Sequence, residues 1–274
     1  MLRRLIRRYI GRIARRQAPQ DFFEELQLLA LKGLNIGEAF SIHNSGEFND
    51  KIVNLLRESR SNIIFDVGAN VGEYSRQMHL ITGGKYKIYA FEPAAETFIK
   101  LSENLKNINV HLYNIGFGLN DEKLTLYSDN PTSGLASLYN RRLNHFGISM
   151  KHPQEVQIRR LDGFCSEMGI DHIGFLKLDV EGHELAVLRG SSSLLKNNKI
   201  DLIQFEFGGC NIDSRTFFQD FFYLLDSNYE IFRITRNGLQ YIRKYKETHE
   251  VFITTNYLAV TRDMADKSDI KCNI

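Results

Sequence analysis

The run Ile63-Ile64-Phe65-Asp66-Val67-Gly68-Ala69-Asn70-Val71-Gly72-Glu73-Tyr74-Ser75 restricts the chain more than any other stretch. Three apolar residues lead into Asp66 as in a buried parallel strand, the chain breaks at a turn holding two glycines, and a helical pattern begins at Tyr74. A strand, a tight loop and a helix start, in that order, form the opening unit of a parallel α/β sheet, and the loop lies where such sheets bind ligands. Gly68 and Gly72 remove side chains from the loop, which lets a ligand approach the backbone.

A second apolar run, Lys87-Ile88-Tyr89-Ala90-Phe91, ends in Glu92, twenty residues after Gly72. A carboxylate at the tip of the neighbouring strand can accept both hydroxyls of a ribose. The two glycines stand four apart, Asn70 occupies the place of a second glycine, and none follows before the helix. The dinucleotide spacing is therefore absent and NAD is disfavoured. S-adenosylmethionine, with a ribose and a positive centre but no pyrophosphate, suits Asp66 and Glu92 better.

From Ile63 onward strand and helix alternate, as a parallel sheet with right-handed crossovers requires. The third strand, Val110 to Ile115, runs into Gly116-Phe117-Gly118, where an adenine would meet backbone groups or where the chain simply turns. Between the half-exposed strands Leu124 to Tyr127 and Val156 to Ile158 lies a long polar stretch, Asp129 to Pro153, with Arg141, Arg142, His145 and His152. Its length points to a substrate flap. Ile173 to Leu178 is a further apolar strand, ending at Asp179 and turning through Glu181, Gly182 and His183 into a helix. Asp201 to Phe207 adds Glu206 to the same sheet edge, and Asp213 or Ser214 can cap a helix with an apolar, phenylalanine-rich face.

The segments Phe65 to Gly72, Phe91-Glu92-Pro93, Arg160-Leu161-Asp162 and Phe175 to Glu184, in this order, resemble the FkbM family of S-adenosylmethionine-dependent methyltransferases. The resemblance covers roughly Asn62 to Gly208. It implies a Rossmann-like class I methyltransferase, α/β, with a mostly parallel seven-stranded sheet whose last strand is antiparallel, and O-methylation of a sugar, glycan precursor or secondary metabolite. It also implies that residues from Gly68 through Asn70 to Gly72 hold the methionine part and Glu92 the ribose, while Asp66 orders the loop; Gly116 is the candidate beside the adenine. The candidates for the base that takes the acceptor's proton are Asp179, Glu181, His183 and Glu206, unranked. Carboxylate and imidazole alternate at 179, 181 and 183, but their side chains need not converge, and no metal is expected.

Outside this core the chain divides into a basic amphipathic arm (1–17), a helical cap (18–60), the methyltransferase domain (61–262) and a polar, mobile tail (263–274). With seven arginines in the arm against a net charge of +2, the remainder carries −5. The arm's apolar residues recur at helical spacing, which fits either a helix lying on an anionic membrane face or one packing on its own domain. A body of that charge counts nucleic acid as an unlikely partner and leaves a small-molecule or glycan acceptor. Cys165, Cys210 and Cys272 are odd in number and far apart, so neither a disulfide framework nor a zinc motif is indicated. The cytoplasm is the expected location, with the arm available to the inner membrane face. Two other readings stand beside the methyltransferase: an NAD-linked sugar-nucleotide enzyme, and a non-catalytic cofactor-binding scaffold at a membrane surface.

Overall fold

The computed structural model describes residues 10, 11, 14, 17, 19–37, 46–268 and 270. The arginines of the basic arm and Cys272 lie outside them. Among the described residues no helix is long and apolar enough to cross a membrane.

Helices at Gln20–Gly33 and Asp50–Arg57 precede the first strand. The first, α1 (Gln20–Gly33), buries none of its residues, although Phe22, Leu28 and Leu29 are apolar. The expected packing of a cap on the domain therefore holds for the second helix only. That helix, α2 (Asp50–Arg57), starts at Asn49, whose side chain accepts from the N–H groups of Lys51 and Ile52, and it buries Ile52, Leu55 and Leu56.

The main sheet contains β1 (Ile63–Val67), β2 (Lys87–Phe91), β3 (Val110–Tyr113), β7 (Ile173–Leu178), β8 (Ile200–Phe207), β9 (Tyr229–Thr235), β10 (Gly238–Tyr241) and β11 (Thr255–Thr261). Their order is β10-β9-β11-β8-β7-β1-β2-β3. Strands β3, β2, β1, β7 and β8 pair in parallel, and β11 runs antiparallel between β8 and β9. The sheet has eight strands rather than seven because the chain returns at Gly238 and adds β10 as an antiparallel edge partner of β9. A separate three-stranded sheet joins β4 (Gly116–Phe117), β5 (Glu122–Ser128) and β6 (His152–Arg159). The third apolar run thus stops short of Ile115, and the chain leaves the main sheet there.

Between the strands lie α3 (Glu73–Thr82), α4 (Ala95–Leu105), α5 (Leu161–Met168), α6 (Glu184–Gly190), α7 (Ser192–Lys196), α8 (Cys210–Ser214) and α9 (Phe218–Leu225), with α10 (Arg262–Lys267) after the last strand. Alternate residues of each central strand face opposite sides of the sheet. Phe65, Val67, Leu176, Leu178 and Phe205 pack with Phe164 of α5, Leu188 of α6 and Phe221 of α9 in the larger core. Ile64, Phe175 and Leu202 pack on the other face with Leu55 of α2 and with Tyr74 and Met78 of α3. The described part of the tail expected to be polar and mobile, 263–268 and 270, begins within α10, which buries Met264 and Ala265, and Ile270 joins the same core; the rest of the tail lies outside the described residues.

Asp201 fastens the entry to β1 onto the start of β8. Its fully buried carboxylate accepts from Ser59 Oγ at 2.9 Å, Arg60 N–H at 2.7 Å, Arg60 Nε at 2.7 Å and His172 Nε2 at 2.9 Å. Burial alone would raise the pKa of this carboxyl, but the hydrogen bonds from Arg60 and His172 outweigh it and the group sits below the ordinary value. Asp201→Ala is expected to destabilise the domain by about 3 kcal/mol. Because the carboxylate stabilises the fold only when ionised, the difference between wild type and variant should narrow as pH falls below about 4, which urea titrations at about pH 7 and pH 3.5 would reveal.

Candidate functional site

The parallel strands wind in opposite directions on either side of β1 and β7, and this reversal opens a crevice at their carboxyl ends. Val67 and Leu178 are register partners, so the loops that follow them leave side by side. Asp179 N–H donates to Val67 O at 3.0 Å, and the N–H groups of Gly68 and Ala69 donate to Phe91 O at 3.0 and 2.9 Å. Gly68 has φ +83°, and a Cβ there would lie 1.8 Å from the Asp179 carbonyl oxygen. The first loop can seat against the second only with glycine at this position.

The crevice deepens into a cleft between the two loops and the flap. Gly68, Asn70, Glu92, Gly116, Asp179, Glu181 and His183 all line it. Glu92 is clamped by backbone: its Oε2 accepts from Asn70 N–H at 3.0 Å and its Oε1 from Ala94 N–H at 2.9 Å. Burial raises the Glu92 pKa to about 7 despite those two bonds. Asn70 adopts a left-handed φ of +49°, and its buried Oδ1 has no hydrogen-bond partner among the described residues. An unmet buried acceptor at a cleft wall suits a ligand that brings a donor.

Three of the residues expected in the site stand elsewhere. Asp66 is a register partner of Lys177 and faces the α3 side, away from the cleft. Its Oδ2 accepts from Ser75 Oγ at 2.7 Å, and its Oδ1 lies 3.5 Å from Lys177 Nζ. Gly72 opens α3 with φ +90°, and a Cβ there would strike Leu101 and Leu105; its lack of a side chain serves the packing of α4 rather than a ligand. Glu206, on β8, is likewise outside the cleft lining. Burial, reinforced by the carboxylates of Asp179 and Glu181, pushes its pKa well up.

The other three acids and bases share the turn after β7 but differ in surroundings. Asp179 is the more open carboxylate, with its side chain 38% exposed and Oδ2 3.1 Å from Lys177 Nζ. Glu181, at φ +51°, is paired with Arg141 of the flap, and burial raises its pKa to about 8. His183 Nδ1 lies 3.1 Å from Tyr139 Oη of the flap, and burial lowers the imidazole pKa to about 4.

The flap itself closes one side of the cleft through Ser133 and Gly134, and Ser137 Oγ donates to Glu181 O at 2.7 Å. Spacing gives no role to Tyr139 or Arg141, because their partners lie 44 and 40 residues away in the chain. Asp213, expected at a helix cap, lies instead 3.7 Å from Arg141 Nε. The phenylalanine-rich helix that follows, α9, is capped by Glu250, which accepts from the N–H groups of Phe218 and Gln219. Lys177 does carry a signal in the sequence: it is the charged residue in an otherwise apolar strand.

A parallel sheet that reverses at β1 and β7, a glycine loop and an acid at the end of β2 together define a nucleotide-type site on an α/β methyltransferase fold. The methyltransferase FkbM domain model matches residues 66–231, and the chain belongs to that family. It thus carries a methyltransferase domain.

Among curated relatives, "Methyltransferase 1" of Beauveria bassiana is 30% identical over 162 residues, 52% of this chain and 64% of that protein. "2-O-methyltransferase NoeI" of Sinorhizobium fredii is 26% identical over 159 residues, 54% of this chain and 65% of that protein. "Hexuronic acid methyltransferase AglP" of Haloferax volcanii is 25% identical over 175 residues, 64% of this chain and 69% of that protein. The chain thus spans just under two thirds of the first two relatives.

Solved structures with a similar fold include a Methanococcus jannaschii fibrillarin pre-rRNA processing protein, with TM-score 0.41 and 11% identity, covering 74% of this chain and 67% of that one. A putative rRNA-methylase from Clostridium thermocellum gives TM-score 0.42 and 7% identity, covering 81% and 98%. An Aeropyrum pernix fibrillarin with natively bound S-adenosyl-L-methionine gives 0.42 and 13%, covering 79% and 76%. The expectation that nucleic acid is an unlikely partner is withdrawn, since structures with a similar fold include proteins named for rRNA.

The buried acids give the site a pH signature. Glu47, Glu92 and Glu184 are raised to about 7 and Glu181 to about 8, in each case chiefly by burial. These groups hold more protons in the folded protein than in the unfolded chain between about pH 4.5 and 8, so they make stability fall as pH rises through that window. His183 and His249, both lowered chiefly by burial, work in the opposite sense below about pH 6.5, against these four acids and Glu206, which burial also raises. Calorimetric melting without cofactor should give a Tm lower at about pH 8 than at about pH 5.5 by about 5 °C or more; a Tm that is flat or rising would contradict the assignment.

Proposed function

We propose that this chain transfers the methyl group of S-adenosylmethionine to a hydroxyl of a sugar, glycan precursor or secondary metabolite. The observation that carries this reading is Glu92, held by two backbone N–H groups at the tip of β2 with its carboxylate on the cleft wall. The relatives from Sinorhizobium fredii and Haloferax volcanii, named as a 2-O-methyltransferase and a hexuronic acid methyltransferase, support an oxygen nucleophile on a sugar.

The residues present fit the cofactor. Glu92 would accept from the ribose hydroxyls, the unmet Oδ1 of Asn70 would accept from the ammonium of the methionine part, and Gly116 would leave room beside the adenine. When bound, S-adenosylmethionine supplies an electrophilic methyl on a sulfonium. The chain's part is to align the acceptor oxygen behind that methyl and to take the proton it sheds. Asp179 is the residue we assign to the proton: it lines the cleft, it is more open than Glu181, and Lys177 fixes one of its oxygens from behind. Glu181 is committed to Arg141, and His183 to Tyr139.

Two substitutions test the reading. Glu92→Ala should weaken S-adenosylmethionine binding about 10- to 100-fold in calorimetry while the melting curve stays cooperative. Unchanged affinity would remove the ribose role. Asp179→Asn should leave cofactor affinity near wild type and lower kcat by about 10²-fold or more once an acceptor is in hand, and a kcat within a few-fold of wild type would pass the proton role to another group.

A further inference from the structure

The stretch Tyr139 to Arg142 of the flap separates the cleft from a second, larger groove of ≈ 1330 Å³. Leu138 lines both cavities, and Tyr139 and Arg141, in the wall of the groove, bond to His183 and Glu181 in the wall of the cleft. One layer of side chains therefore divides the two.

The chemistry of the groove is cationic and aromatic. Arg141 contributes a side chain only 9% exposed, whose buried Nε makes no hydrogen bond among the described residues and lies 3.7 Å from Asp213 Oδ2. Arg142 and Arg215 line the groove and are exposed, and among the described residues neither guanidinium has a hydrogen bond or ion pair. Asp213 is the carboxylate in this lining, and it is already engaged by Arg141 and by the N–H of Arg142 at 3.3 Å. Beside the free arginines stands Phe146, 70% exposed, a flat apolar face on open surface. Guanidinium groups pair with carboxylate or phosphate, and an aromatic face suits the C–H side of a sugar ring.

We propose that this groove is the acceptor subsite and that it takes an anionic saccharide, its ring against Phe146 and its carboxylate or phosphate on Arg142 and Arg215. The assignment rests on the methyltransferase reading of the adjacent cleft. It adds the charge of the acceptor: a sugar lacking an acidic group leaves two free guanidinium groups without a partner. The groove then holds the acidic end of the acceptor, and the hydroxyl to be methylated reaches the turn that carries Asp179 past Leu138, which lines both cavities.

The test is calorimetric titration of the whole chain, with S-adenosylhomocysteine present, using trigalacturonate, glucose 1-phosphate, neutral maltotriose and an unstructured RNA oligonucleotide as probes. At least one anionic sugar is expected to bind about 10-fold or more tightly than maltotriose, trigalacturonate marking carboxylate and glucose 1-phosphate marking phosphate as the group recognised. The double variant R142E/R215E, at two exposed positions, should weaken that binding by about 10-fold or more and leave S-adenosylhomocysteine affinity within about 2-fold. Equal affinity for neutral and anionic sugars, no loss in the double variant, no sugar binding at all, or arginine-dependent binding of RNA in place of sugars would each overturn the proposal while leaving the cofactor cleft intact. Failure of the wild type to bind S-adenosylhomocysteine would overturn the cofactor reading and this one with it.

Discussion

A single buried ammonium lies at the centre of this site. Lys177 Nζ sits 3.1 Å from Asp179 Oδ2, 3.5 Å from Asp66 Oδ1 and 4.7 Å from the centre of the Tyr74 ring. Burial lowers its pKa, but the carboxylates of Asp179, Asp66 and Glu47 more than offset that and raise it above the ordinary lysine value. The charge also spans the sheet: Asp66, Lys177 and Gln204 are successive register partners on β1, β7 and β8, and Gln204 Oε1 accepts from Tyr74 Oη at 3.0 Å. A row of polar groups thus crosses the second core directly beneath the two loops that form the cleft. An uncompensated Asp66, fully buried, would be far more costly than the pair.

Above that row the cleft is assembled from two sheets that share a core, with Phe117 of β4 packed on Phe91 and Phe164. The floor comes from the main sheet, whereas the flap is carried by β5 and β6 of the separate three-stranded sheet. The flap reaches the turn at Glu181 and His183 through Ser137, Tyr139 and Arg141. The acids of that turn are consequently tuned by a segment outside the central fold. Glu181 and His183, two residues apart, end up on opposite sides of neutrality, one raised to about 8 and the other lowered to about 4.

The parts of this architecture readable from the chain are those in which cause and effect are local. A buried strand breaking at Gly68, an acid closing β2 and an apolar strand ending at Asp179 are each visible within a short window of sequence. What is not readable depends on partners distant in the chain. The pattern at Asp66 is the same whether the carboxylate points to a ligand or to Lys177, and only the register of β1 against β7 decides between them. Gly72 has the same ambiguity, settled by Leu101 and Leu105 of α4. Apolar content misleads at both ends: α1 carries apolar residues it does not bury, whereas the polar-looking segment after Asp263 buries Met264 and Ala265. The edge strand β10 is short and half-buried, and pairing with β9 rather than its own residues makes it a strand of the main sheet.

The contact between Gly68 and the Asp179 carbonyl has a consequence in time as well as in space. The two residues lie far apart in the chain, so the glycine loop acquires its shape only after β7 has docked beside β1 across everything in between. Closing a loop of that length is entropically costly and slow, and it comes after the local βα units around β1 and β2 can already form. A chain in which β7 has not docked beside β1 lacks the pocket, so ligand binding reports on that docking.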